Sequence, residues 1–227
     1  MAKITYYGHS TFLVGLEDKK ILFDPFITPN ERASEIDINS ISADYILLSH
    51  GHEDHVADVE AISKRTGATV VANFEVASWF QQKGIENYHP MNHGGSKEFD
   101  FGKVKYVNAI HSSTLPDGTP GGNPGGFVVQ TDRETFYYAG DTALTYDMKL
   151  IADEFNIDFA FLPIGDNFTM GINDALKAAE FVGTKKVIAM HYDTFPYIEI
   201  NKENTKKAAM ESGIDLIMLS IGENITF

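Results

Sequence analysis

Apolar residues recur along this chain in two alternating rhythms, and the rhythms predict its elements. In the first part, period-two or wholly apolar runs at 4–7, 11–14 and 20–23 read as strands, with a turn at Glu17-Asp18-Lys19. A polar stretch over 28–42 separates them from a further strand at 44–48. Val56, Val59 and Ile62 then fall at helical spacing, so 55–66 reads as a helix closed by Gly67. A strand at 69–72 and a helix at 74–83, ended by Gly84, complete this part.

The second part repeats the plan. Strands at 98–101, 103–110, 126–130 and 135–139 form meanders with turns at Phe101-Gly102 and Asp132-Arg133. Strands at 159–164, 186–190 and 215–220 then alternate with helices at 145–155, 173–181 and 202–212. Strands followed by strand–helix alternation thus occur twice, with no low-complexity linker between the halves. This order suggests an α/β fold in which two mixed β-sheets pack face to face with helices on both outer faces. The expectation is a four-layer αββα sandwich, a single domain over 1–227.

Composition narrows the chemistry. The 227 residues are 43% hydrophobic and 22% charged, ordinary for a globular chain, and the apolar runs are far too short to span a bilayer. The amino terminus already reads as a strand and lacks the apolar segment of a signal peptide, so the cytoplasm is the expected location. There is no cysteine, which excludes disulfides and thiolate ligands and leaves imidazole and carboxylate to hold any metal. A formal charge of −14, with basic residues scattered in pairs, argues against nucleic acid and anionic membranes as partners.

Against that background one segment stands out, Ser49-His50-Gly51-His52-Glu53-Asp54-His55, directly after the apolar run Tyr45-Ile-Leu-Leu48. Two histidines two residues apart point the same way on extended backbone, so His50 and His52 can share one ion. Asp54 and His55 follow where the chain turns and are free to aim at a second. Isolated ligand-type residues follow other apolar strands: His111 after 106–110, Asp141 after 136–139 and His191 after 187–190. Strand C-termini are where α/β folds place their sites.

These residues resemble the metal-binding set of the metallo-β-lactamase-fold hydrolases, along nearly the whole chain. The family's His-x-His-x-Asp-His matches His50, His52, Asp54 and His55, and its later ligands match His111, Asp141 and His191. The resemblance implies that His50, His52 and His111 hold one divalent ion and that Asp54, His55 and His191 hold another, with Asp141 bridging. Zinc is the first expectation, with manganese and iron as alternatives. Tyr7-Gly-His-Ser-Thr-Phe12, Leu22-Phe-Asp-Pro25, Phe168-Thr-Met-Gly171 and His191-Tyr-Asp-Thr-Phe-Pro196 are similar to a narrower group, uncharacterised hydrolases related to ascorbate-6-phosphate lactonase.

The activity so implied is hydrolysis of a small-molecule ester, lactone or phosphodiester by a hydroxide activated between two ions, with Asp54 as ligand and catalytic acid–base. A nuclease or RNA-processing enzyme of the same superfamily, and a non-catalytic metal-binding domain, are the alternatives. Asp24, at a strand end, is the candidate acceptor that fixes a ligand's tautomer. His9 either lines the pocket, supports a ligand or is structural. Asn167 and Thr194 lie in loops expected to shape the substrate pocket beside His9. A phosphorylated sugar would want a cation there, and the loops after His111, Asp166 and His191 carry none. His89 and His93 sit in a turn-like stretch and read as structural, the glycine-rich 119–126 as a loop beside the site, and self-association stays open.

Overall fold

In a computed structural model that describes residues 1–16 and 18–227, the apolar strand runs are buried on both faces. Along β3 (Lys19–Phe23), Ile21 and Phe23 join one apolar cluster and Leu22 the other. Leu47 in β4 (Tyr45–Leu47) and Val71 in β5 (Thr69–Asn73) likewise turn to the first cluster, Ile46 and Val70 to the second. Successive side chains point to opposite faces, so a continuous apolar run requires packing on both.

Two seven-stranded sheets result. The first contains β1 (Lys3–Gly8), β2 (Thr11–Leu16), β3, β4, β5 and β6 (Tyr88–Met91) in that order. The second runs from β7 (Ser96–Phe99) through β8 (Gly102–Asn108), β9 (Gly125–Gln130), β10 (Thr135–Tyr138), β11 (Phe159–Pro163) and β12 (Lys186–Met190) to β13 (Asp215–Ile217). The last strand, β14 (Asn224–Thr226), returns to the first sheet and pairs antiparallel with β1. Between the sheets, aromatic rings from both sides interlock: Phe23 stacks on Tyr138 at 4.5 Å and Phe12 meets Phe161 at 4.7 Å. The outer face of the first sheet is covered by α1 (Glu53–Val56), α2 (Val59–Thr66) and α3 (Phe74–Gln82). That of the second carries α4 (Met148–Glu154), α5 (Ile172–Phe181) and α6 (Lys202–Glu211). This is the expected αββα sandwich.

Three local expectations change. The helix expected over 55–66 is two helices, because the Asp58 N–H turns out to Pro25 O (3.1 Å) and its carboxylate takes the N–H groups of Ile27 and Thr28 (2.6 and 2.9 Å). The turn-like stretch over 88–95 opens with the edge strand β6, where Pro90 is tolerated because an edge needs no N–H on its open side, and only its second half turns, with Gly95 N–H donating to Asn92 O (2.9 Å). β13 stops at Ile217, short of 220, and β14 had no expectation at all. The turn expected at Glu17-Asp18-Lys19 includes Glu17, which lies outside the described residues. No helix among the described residues is long and apolar enough to cross a membrane.

Parallel registry sets where the chemistry goes. Phe23 lies beside Leu47, and Tyr138 beside Phe161, so neighbouring strands end level. Cross-sheet bonds then draw the two sets of ends to one rim: Gly125 N–H donates to Ser49 O and His191 N–H to His9 O (3.0 and 2.9 Å).

Candidate metal centre

Every ligand-type residue singled out in the sequence arrives at this rim. His50 lies just past β4, His111 just past β8, Asp141 just past β10 and His191 immediately after β12. One ring nitrogen each of His50, His52 and His111 lies within 4.8 Å of the other two. His9, Asp54, His55 and His191 form a second group by the same measure. Asp141 stands between the groups, its Oδ2 3.3 Å from His55 Nε2, 2.9 Å from His191 Nε2 and 3.6 Å from His111 Nε2.

Backbone strain marks the same place. Among the described residues, His9, Asp24, Asp166, Asn167, His191 and Asp193 are the non-glycine residues with positive φ, between +40° and +62°. Each sits on a strand-end loop, and the conformation costs on the order of 1 kcal/mol or more apiece. Gly140, at φ +62°, lets the Asp141 loop close on the His50 loop, since a Cβ there would lie 2.5 Å from that of Ser49. Gly165 similarly rests against the His191 carbonyl, where no side chain fits.

Asp24 is the hub beneath these histidines. It is fully buried, and its carboxylate accepts from Ser49 N–H (2.8 Å), Ser49 Oγ (2.6 Å) and His55 Nδ1 (2.9 Å), with Tyr138 OH also at 2.8 Å. Because Ser49 Oγ gives its proton to Asp24, it must accept from His50 Nδ1, 2.9 Å away. Both His50 and His55 are thereby fixed with their lone pair on Nε2, as metal ligation requires. Neither Ser49 nor Tyr138 has a role assigned from the sequence. The available signal for Tyr138 was a tyrosine in a wholly apolar strand, whose hydroxyl must find a partner.

Further bonds brace the loops. Ser113 Oγ accepts from Gly51 N–H, between His50 and His52, and donates to Gly121 O in the glycine-rich segment (both 3.0 Å). His9 is 1% exposed, with Nε2 3.1 Å from Asp54 Oδ2 and Nδ1 2.9 Å from Thr194 Oγ, so its ring is occupied by protein on both sides. Thr194 is half-buried and Asn167 exposed on the rim. His89 packs edge-on against Phe99 and His93 bonds Pro124 O, away from both groups.

The electrostatics ask for cations. Among the described residues, Asp24, Asp54 and Asp141 form ion pairs with histidines alone. Burial alone would raise the Asp141 carboxyl, but the His191 and His55 rings hold it well below the usual carboxylate range. Burial likewise disfavours a charged His55, yet Asp141, Asp54 and Asp24 push it well above the ordinary imidazole value. Desolvation lowers His50, His52 and His111, which favours the neutral, ligating form. Buried polar atoms expose the need directly: His55 Nε2 stands 3.3 Å from Asp141 Oδ2, and neither His55 Nε2 nor the other oxygen of that carboxylate, Oδ1, has a hydrogen-bond partner. Buried polar atoms are rarely left so. The donor set, imidazole and carboxylate only, fits divalent zinc, manganese or iron.

A two-sheet αββα sandwich with this histidine–aspartate rim defines a metallo-hydrolase class, and the comparison with known families agrees. The chain belongs to the β-lactamase superfamily, whose domain profile matches residues 3–191. It is a metal-dependent hydrolase, 57% identical over 224 residues to the UPF0173 metal-dependent hydrolase of Christiangramia forsetii, covering 98% of this chain and 99% of that one. Among solved structures it is similar to Igni18, a metallo hydrolase from the archaeon Ignicoccus hospitalis, at 33% identity and a TM-score of 0.90 over 100% of this chain and 98% of the other. An isothiocyanate hydrolase from Delia radicum gut bacteria shares the fold at 19% identity, with a TM-score of 0.79 over 99% and 98% of the two chains.

Proposed function

We propose that the protein hydrolyses a small, uncharged ester or lactone at a dinuclear centre in the cytoplasm. His50, His52 and His111 would hold one ion, Asp54, His55 and His191 the other, and Asp141 would reach both. Bound divalent ions supply Lewis acidity and bring the pKa of water toward neutrality. The protein's own part is to fix the ligand tautomers through Ser49 and Asp24, and to keep one carboxylate in touch with solvent. Asp54 is that carboxylate: its side chain is 27% exposed, against 0% for Asp24 and 2% for Asp141, so protons leave the site through it.

The rim supports the substrate class. Phe168 and Tyr197 are exposed and pair edge-on at 6.0 Å on the loops after β11 and β12, and Ile110 stands exposed beside His111. The Phe168 loop is tied to the Asp141 loop by the Met170 N–H bond to Thr142 O (3.1 Å). Cations near the rim already have acids: Arg32 lies 4.0 Å from Glu199, and Lys202 2.9 Å from Asp193. A phosphosugar would find no unpaired positive charge in these loops, so a phosphodiester ranks behind neutral esters and lactones. The net charge of −14 favours a small-molecule partner over a polyanion. Asn167 and Thr194 are retained as rim positions.

The observation that carries this reading is the buried, unpartnered His55 Nε2 facing Asp141 within a cluster of three carboxylates. His52→Ala and Asp141→Ala should each lose metal and all turnover on a panel of esters, lactones and phosphodiesters, with the far-ultraviolet spectrum unchanged. Full activity in either variant would refute it.

A further inference from the structure

We propose that His9 is a positioning residue for Asp54, and that Thr194 makes it one by fixing which ring nitrogen carries the proton. The inference rests on the reading of Asp54 as ligand and proton carrier, and goes beyond it by removing His9 and Thr194 from the substrate contacts.

Thr194 has one hydroxyl proton and two acceptors within reach, His9 Nδ1 at 2.9 Å and Tyr192 O at 3.4 Å. The shorter bond takes the proton, so Nδ1 accepts. The neutral ring then carries its hydrogen on Nε2 and donates it to Asp54 Oδ2 at 3.1 Å. The other tautomer would set an imidazole lone pair against an ionised carboxylate at that same distance, which is repulsive. Thr194, His9 and Asp54 therefore form a directed chain of two hydrogen bonds.

The surroundings keep this ring where it is. His9 has φ +54°, and its carbonyl accepts from His191 N–H (2.9 Å) and Tyr6 OH (3.2 Å). Phe26 and Phe195 meet the ring edge-on at 5.6 and 5.4 Å. A fully buried imidazole with both nitrogens engaged has no atom left for substrate. Its effect is to hold one oxygen of Asp54, orient the other, and connect the loop after β12 to that carboxylate.

The test uses the full chain loaded with cobalt(II), comparing wild type, Thr194→Val and Thr194→Ser. Valine keeps the shape and removes the hydrogen bond to Nδ1, so that side of the ring loses its anchor and the bond from Nε2–H to Asp54 loosens. Cobalt content should equal that of wild type, while the visible absorption band shifts in Thr194→Val and returns in Thr194→Ser. On any ester that the wild type hydrolyses, kcat should fall about tenfold in Thr194→Val with KM within about twofold. An unchanged cobalt band in Thr194→Val overturns the inference, as does a raised KM at constant kcat, which would make Thr194 a substrate contact. If the wild type turns over no ester, the hydrolytic reading fails separately and the cobalt band still decides this question.

Discussion

Asp24 gathers more of the site's hydrogen bonds than any ligand position does, although no substrate would touch it. Its carboxylate fixes His55 directly and His50 through Ser49. Asp24→Asn keeps the volume but turns an acceptor into a donor that faces other donors. Metal affinity should fall by about 10- to 100-fold in a chelator competition, and urea should unfold the variant about 2 kcal/mol more easily, as an unsatisfied buried group requires. The histidines give a pH test on chelator-treated protein. Burial first, then the like charge of His191, brings His9 down to about 4 from the ordinary 6.5. A lowered imidazole is neutral when folded and takes up a proton on unfolding, so its stabilisation is present above 6.5 and is lost as pH falls toward 4. His50, His52 and His111 are lowered too and act in the same sense, whereas His55 is raised, so its stabilisation is complete below 6.5 and is lost only as pH rises above it. With four lowered histidines acting together in that window, the metal-free fold should lose stability between pH 6.5 and 4, by on the order of 3 kcal/mol from His9 alone. Thermal melts across that range would check it, and a flat profile would contradict it.

At the level of elements, the long apolar strands were readable because a run buried on both faces leaves a continuous hydrophobic signature. Their edges were not. β6 hides behind Pro90, and the pairs that make β14 a strand lie at the opposite end of the chain, in β1. The split between α1 and α2 was invisible because Val56, Val59 and Ile62 keep helical spacing across it. Only the tertiary bonds of Asp58 to Ile27 and Thr28 reveal the break. Asn73 is a further case where one side chain serves two elements. Its Oδ1 caps α3 at Val76 N–H (2.8 Å), and its Nδ2 donates to Gly121 O and Asn123 O (2.7 and 3.0 Å). Asn73→Ala should cost about 1 kcal/mol for the cap and free the glycine-rich segment for proteolysis. Asn73→Asp should preserve the cap yet open the segment as much, since a carboxylate then faces two carbonyls. Limited proteolysis of both variants tests the difference; equal resistance to wild type would show that the cap alone matters.

At the scale of the molecule, the sheets are built to one plan. Read from β14 to β6 and from β7 to β13, each has three antiparallel pairs followed by three parallel ones. Matching places carry matching chemistry: His9 and His111 lie beyond β1 and β8, and Asp24 and Asp141 beyond β3 and β10. The repeated alternation of strands and helices was visible in the sequence, as was each ligand-type residue at its strand end. The expected role of Asp24 as acceptor for a histidine matches its bond to His55, whereas which of its readings His9 takes was not visible, because periodicity places a residue on a rim but does not say which neighbour meets it there. The joint between the halves is where the account is most exposed, since the proposed centre exists only if both contribute ligands to it. Elemental analysis of the full chain, purified without chelator, tests this most directly in wild type and His111→Ala. The account predicts two divalent ions per chain in the wild type and a loss of at least one in the variant. A wild type that binds no ion, or a variant that keeps both, would contradict it.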